Sequence, residues 1–130
     1  MWKILVVDDD FVSRKLMLEI LKDKAKCDVA ATGREAIEAY NVSIRENDIY
    51  DLILLDISMP DIEGLEVLKK IRENEERAGI LLGEGIPIIM VTAHEEPYIT
   101  AFNRGCDDYM LKPINASVLL GKIKGKLQKK

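Results

Sequence analysis

Met1-Trp2-Lys3-Ile4-Leu5-Val6-Val7-Asp8-Asp9-Asp10 opens the chain with an apolar run, broken by one lysine and stopped by three acids. A run this short and this apolar reads as a strand buried on both faces, since a strand wet on one side would alternate apolar and polar residues. The same signature recurs downstream. Cys27 to Ala31 predicts a second strand, Asp51 to Leu55 a third that ends at Asp56, Ile86 to Val91 a fourth, and Asp108 to Leu111 a fifth that ends at Lys112-Pro113. Longer amphipathic segments separate them. Phe11 to Lys26 places Val12, Leu16, Met17, Ile20 and Leu21 on one helical stripe. Thr32-Gly33-Arg34-Glu35 is a capping-box pattern opening a helix with Ala36, Ile37, Tyr40 and Ile44 inward. Gly64 to about Arg77 carries Leu65, Leu68 and Ile71; Glu95 to about Gly105 is a weaker helix; Asn115 to Gln128 buries Val118, Leu119, Ile123 and Leu127. Strands alternating with helices predict a parallel sheet covered on both faces, joined by right-handed crossovers.

At 130 residues the chain has the size of one domain, residues 1–130, with enough length for a full core. Its 48% hydrophobic and 32% charged content fits a soluble globular protein. A net charge of −4 argues against a direct nucleic-acid partner, which would favour a basic face. The lysines near the end (Lys122, Lys124, Lys126, Lys129 and Lys130) read as a solvated helix end beside its negative pole. The first apolar run is too short for a signal peptide or a membrane span, so the expected compartment is cytoplasmic with no membrane contact. Cys27 and Cys106 match no metal motif and read as free thiols.

Sites in open parallel sheets lie at the carboxyl ends of the strands. There the sequence places Asp8, Asp9 and Asp10, then Asp56, Thr92 and Lys112. Any one of these has a plain structural reading: an acid can cap a helix and a threonine can fill a strand. Acids, a hydroxyl and an amine on four strand ends are harder to explain by capping. If strands one and three are neighbours, about 4.8 Å apart, Asp8, Asp9 and Asp56 crowd into one site and at least one carboxyl pKa rises. A hard divalent cation relieves that repulsion, and oxygen-only ligands suit Mg2+, with Mn2+ as an alternative. No His or Cys lies near these positions, which argues against Zn2+. A carboxylate beside Mg2+, a hydroxyl and an ammonium is a phosphoryl-accepting arrangement.

Four stretches carry a resemblance: Val6-Val7-Asp8-Asp9-Asp10, Leu54-Leu55-Asp56-Ile57-Ser58-Met59-Pro60-Asp61-Ile62-Glu63-Gly64, Met90-Val91-Thr92-Ala93-His94, and Asp108-Tyr109-Met110-Leu111-Lys112-Pro113. Together they resemble the receiver domains of two-component response regulators, over nearly the whole chain. The resemblance implies a flavodoxin-like doubly wound α/β fold: five parallel strands in order 2-1-3-4-5, with five helices on both faces. It implies that Asp56 is the phosphoacceptor and that Asp8, Asp9, Asp56 and the Ser58 backbone carbonyl hold the metal. Lys112 and Thr92 would stabilise the phosphoryl group, with a cis bond at Lys112-Pro113. Thr92 and Tyr109 would be the switch pair, and Ser58 and His94 occupy positions that tune phosphoryl lifetime. The implied partners are a histidine kinase or phosphotransfer domain as donor, and a downstream protein reading the α4-β5-α5 surface, about Glu95 to Gln128. The implied activity is self-modification, not turnover of a separate substrate. The implied strand order sets Cys27 and Cys106 roughly 19 Å apart, too far for a disulfide.

Bland readings stand beside these. Asp10 reads as an N-cap before a metal ligand, His94 equally as a surface loop histidine, and Met17, Met59, Met90 and Met110 as packing. Phosphatases that work through an aspartyl-phosphate want a second acid two residues after the nucleophile, where this chain has Ser58. A degenerate receiver is disfavoured by the intact Asp8, Asp9, Asp56, Thr92 and Lys112 set. No Gly-rich turn follows the first strand, against dinucleotide binding. Glu73 to Gly85, with three glycines, predicts a surface excursion in which Ile80 to Leu82 fold back or meet a partner.

Overall fold

The computed structural model describes residues 1–81, 83–93 and 98–128. Its elements run β1 (Trp2–Val7), α1 (Phe11–Leu21), β2 (Ala25–Ala30), α2 (Gly33–Arg45), β3 (Leu52–Leu55), α3 (Gly64–Arg77), β4 (Ile88–Thr92), α4 (Tyr98–Asn103), β5 (Asp108–Leu111) and α5 (Ala116–Leu127). The five strands form one parallel sheet in the order β2-β1-β3-β4-β5, as expected.

Alternation along each buried strand divides the core in two. Leu5, Val7, Ile53, Leu55, Ile88 and Met90 face Ala36 and Tyr40 of α2, Val67, Leu68 and Ile71 of α3, and Ala101 of α4. Ile4, Val6, Leu52, Leu54, Ile89 and Val91 face Met17 and Leu21 of α1 and Leu119 and Ile123 of α5. Apolar residues on both sides explain why β1, β3 and β4 read as continuous runs. No helix among the described residues is long and apolar enough to cross a membrane. Cys27 and Cys106 are both free thiols.

Several expectations need correction. α1 ends at Leu21, and Ala25 and Lys26 belong to β2. Val12 and Leu16 are exposed, because α1 meets the sheet along Met17 and Leu21 with Leu18 and Ile20 partly buried beside them. Ile44 and Val118 are likewise exposed. In α2 the inward position goes to Ser43, whose hydroxyl is satisfied by donating to the Tyr40 carbonyl at 2.7 Å. Residues 73–77 continue α3 as helix, held by a buried ion pair between Arg72 and Glu75, so the excursion starts later. Within it Ile80 and Leu81 stay exposed and do not fold back; Leu82 lies outside the described residues, as do 94–97 at the expected start of the fourth helix.

That Arg72–Glu75 pair belongs to a network at the amino ends of β4 and β5. Arg72 donates to Glu75 Oε1 at 2.7 Å, Asp107 Oδ2 at 2.8 Å and the Gly105 carbonyl at 2.8 Å. Both carboxylates also accept backbone N–H groups: Glu75 from Ile86, on its other oxygen Oε2, at 2.7 Å, and Asp107 from Ile88, on the same Oδ2, at 2.8 Å.

Candidate functional site

The sheet register sets the height of each side chain at the opposite, carboxyl end. Val7 of β1 pairs with Leu55 of β3, and the ladder runs one step further, with the Asp56 N–H donating to the Val7 carbonyl at 3.0 Å. Asp8 and Asp56 therefore leave adjacent strands side by side. Thr92 pairs with Leu111, and the Lys112 N–H donates to the Thr92 carbonyl at 2.8 Å, which carries Lys112 over the same end. The Lys112-Pro113 peptide is cis.

One carboxylate oxygen from each of Asp8, Asp9 and Asp56 lies within 4.8 Å of the others. Asp8 and Asp56 are buried, at 0% and 5% exposure, while Asp9 is open to solvent. The Lys112 ammonium sits 2.8 Å from Asp8 Oδ2 and 3.1 Å from Asp56 Oδ2. Burial raises the Asp8 carboxyl above its ordinary pKa; the Asp56 charge adds to the rise, while Lys112 and the Asp10 N–H oppose it. Burial works against the Lys112 charge too, but Asp8 and Asp56 outweigh it and the ammonium pKa lies above normal. The crowding expected from the sequence is thus present, and at Asp8 it adds to a rise that comes first from burial.

These residues suit a divalent cation. Three carboxylates and one ammonium leave a net charge of −2. Asp8 Oδ2 is enclosed, with the Lys112 ammonium as its close partner at 2.8 Å. One ammonium shared by carboxylates this close leaves them short of positive charge, which favours a further cation. All three donors are hard oxygens.

Thr92 is fully buried at the end of β4, and Tyr109 is buried in the core shared with α2, α3 and α4. Ser58 is exposed, and its N–H points at Asp56 Oδ1 from 3.4 Å. Asp10 caps α1, accepting from the Val12 N–H at 3.2 Å and the Ser13 hydroxyl at 2.8 Å, and it is not in the carboxylate triad. His94 lies outside the described residues.

Two contacts escaped sequence reasoning. Arg14 donates to the Asp8 carbonyl at 2.8 Å, pinning the backbone of the β1–α1 loop. Asp61, in the β3–α3 loop, accepts the Gly33 N–H at 2.9 Å and the Arg34 N–H at 3.1 Å. Both residues look like ordinary surface charges in the sequence. Only the folded path brings Asp61 to residues 28 and 27 positions earlier.

Comparison with known proteins agrees with this geometry. The family model described as "Response regulator receiver domain" matches residues 4–124. The chain is 33% identical over 132 residues to the response regulator ArlR of Staphylococcus saprophyticus, covering 99% of this chain and 54% of that protein. It therefore spans about half the length of that curated relative. A crystal structure of a CheY-like response regulator receiver domain protein from Methanospirillum hungatei superposes with a TM-score of 0.78 at 35% identity, covering 99% of this chain and 95% of that one. The receiver domain of the sensor histidine kinase PA1611 from Pseudomonas aeruginosa, solved with a magnesium ion coordinated in its active-site cleft, superposes with a TM-score of 0.79 at 25% identity, covering 98% of each chain. Fold, register and family model agree: this chain belongs to the response regulator receiver domain family and is a signalling domain of the two-component type.

Proposed function

We propose that the chain is a phosphorylation-dependent switch that accepts a phosphoryl group on Asp56. The observation that carries this reading is the buried Asp56 carboxylate, 3.1 Å from the Lys112 ammonium and inside a carboxylate triad. The donor is a phosphohistidine of a histidine kinase or phosphotransfer domain. An Asp56 carboxylate oxygen attacks phosphorus, the P–N bond breaks, and the leaving imidazole nitrogen keeps the electron pair. Lys112 meets the charge of the phosphoryl oxygens, and the Thr92 hydroxyl turns toward them. Asp8, Asp9, Asp56 and the Ser58 carbonyl would hold Mg2+ or Mn2+, as the magnesium bound by the PA1611 receiver supports. That ion, when bound, neutralises charge on the phosphoryl oxygens.

The output is a population shift. The phosphoryl group adds charge and acceptor oxygens at Asp56; Thr92 moves to meet them and Tyr109 fills the vacated space, reshaping the surface of α4, β5 and α5 for a downstream protein. Residues 1–130 act as one receiver unit in the cytoplasm. The only reactions they catalyse are their own phosphorylation and dephosphorylation. Ser58 and His94 are the residues that tune the lifetime of the phosphoryl group.

Intact mass after incubation with acetyl phosphate and Mg2+ tests this, beside EDTA and Asp56→Asn controls. A Mg2+-dependent phosphoryl adduct on the unmodified chain alone supports the proposal. An equal adduct on Asp56→Asn overturns the acceptor assignment. No adduct together with no binding of beryllofluoride overturns the switch.

A further inference from the structure

The β3–α3 loop carries Ser58, and three contacts fasten it. At its end, the Gly64 N–H donates to the Ile57 carbonyl at 2.7 Å. A Cβ on Gly64 would lie 1.9 Å from the Asp56 carbonyl oxygen, so the chain closes there only on glycine. In its middle, the Ile62 carbonyl rests against Gly33, where a Cβ would come within 2.3 Å. Beside it, the Asp61 carboxylate takes the Gly33 N–H on Oδ1 and the Arg34 N–H on Oδ2.

Gly33 and Arg34 are the first two residues of α2, whose N–H groups have no partner inside the helix. The helix already has a cap of its own. Thr32 Oγ1 accepts the Glu35 N–H at 3.0 Å, and Glu35 Oε1 accepts the Ala31 N–H at 2.8 Å. Asp61 is therefore not needed to start α2; its two bonds anchor the loop to a rigid element. The Arg34 guanidinium, 3.9 Å away and largely in solvent, adds little.

We propose that Asp61 is a positioning residue for the metal site. By fastening the loop to the amino end of α2 it holds the Ser58 carbonyl in place before the cation arrives. This inference rests on the metal reading above. It assigns to Asp61 no contact with metal or phosphoryl group, only the placement of a residue that makes one.

The test is the Mg2+ dissociation constant, read by NMR titration of backbone amides, for the unmodified chain, Asp61→Ala, Asp61→Asn and Thr32→Ala, at a temperature where each is folded. Asp61→Ala should weaken Mg2+ binding roughly tenfold, the lower end of the effect of removing an outer-shell support. Asp61→Asn, which keeps one acceptor oxygen, should fall between. Thr32→Ala should lower Tm and leave Mg2+ affinity alone. Unchanged affinity in Asp61→Ala overturns the inference, as does an equal loss in Thr32→Ala, which would make the effect one of helix stability. If Asp61→Ala fails to fold, Asp61→Asn is judged by the same outcomes. An unmodified chain that binds no Mg2+ overturns the metal reading itself, and the inference with it; normal binding in both it and Asp61→Ala overturns the inference alone.

Discussion

Lys112 Nζ approaches Asp8 Oδ2 to 2.8 Å, closer than its 3.1 Å approach to Asp56 Oδ2. One cation thus holds two enclosed carboxylates. Lys112→Ala removes it and leaves both without a counter-charge. We expect a loss of about 3 kcal/mol in urea denaturation with EDTA at pH 7, the range for breaking a buried pair, and partial recovery with Mg2+. A loss of about 1 kcal/mol or less would place the pair among exposed ones.

The raised Asp8 pKa predicts how stability depends on pH without metal. The native state keeps a proton that the unfolded chain releases near the ordinary value of 3.8. The Asp8 contribution to stability is then fully present below that value and is lost as pH rises through the higher native pKa. Asp8→Asn has no proton to lose and should lack this fall. The check is Tm from pH 4 to 7.5 in EDTA for both proteins; parallel curves would refute it. Saturating Mg2+ should reduce the fall in the unmodified chain.

At the far end of the sheet, Arg72→Met would strand Glu75, which is 6% exposed, without its cation. About 3 kcal/mol should be lost. Arg72→Met/Glu75→Gln should recover part of it, because glutamine still accepts the Ile86 N–H and carries no charge. Equal stability of the single and double variants would show that the charge on Glu75 is not what costs.

Gly64→Ala should drive the β3–α3 loop off the Asp56 backbone, since the atom in the way is a main-chain oxygen and not a movable side chain. The expected cost is about 3 kcal/mol, the upper end for overpacking, with slower labelling by acetyl phosphate. An unchanged urea midpoint would mean the loop relaxes freely.

Burial pushes the Cys106 thiol up to about 12, with Asp107 and Asp108 adding to the rise. Its thiolate is scarce at pH 8, so Cys106 should react slowly with a disulfide reagent in the native state and readily in urea. Cys27 is half-buried and should react first. Peptide mapping after timed labelling decides the order.

The fold was legible because β1, β3 and β4 are buried on both faces and show it as unbroken apolar runs. The strand-end acids, Thr92 and Lys112 were legible for a related reason: parallel strands place their carboxyl ends together, so neighbours in space can be named from strand ends alone. Periodicity does not say how wide a contact is. Val12 and Leu16 looked like core and are exposed, while Ser43 looked polar and is buried with its hydroxyl satisfied within its own helix. Arg72, Glu75 and Asp107 read as surface charges. Their pairing depends on α3 packing beside the loop before β5, which no local pattern encodes.

The Arg72–Glu75–Asp107 network and the acidic centre occupy opposite ends of the same strands. At one end each carboxylate meets both the guanidinium and a backbone amide; the other gathers three carboxylates around a single ammonium. Substitutions in the loops at the acidic end can therefore change that site while leaving intact the contacts that fasten α3 to the strands at the other.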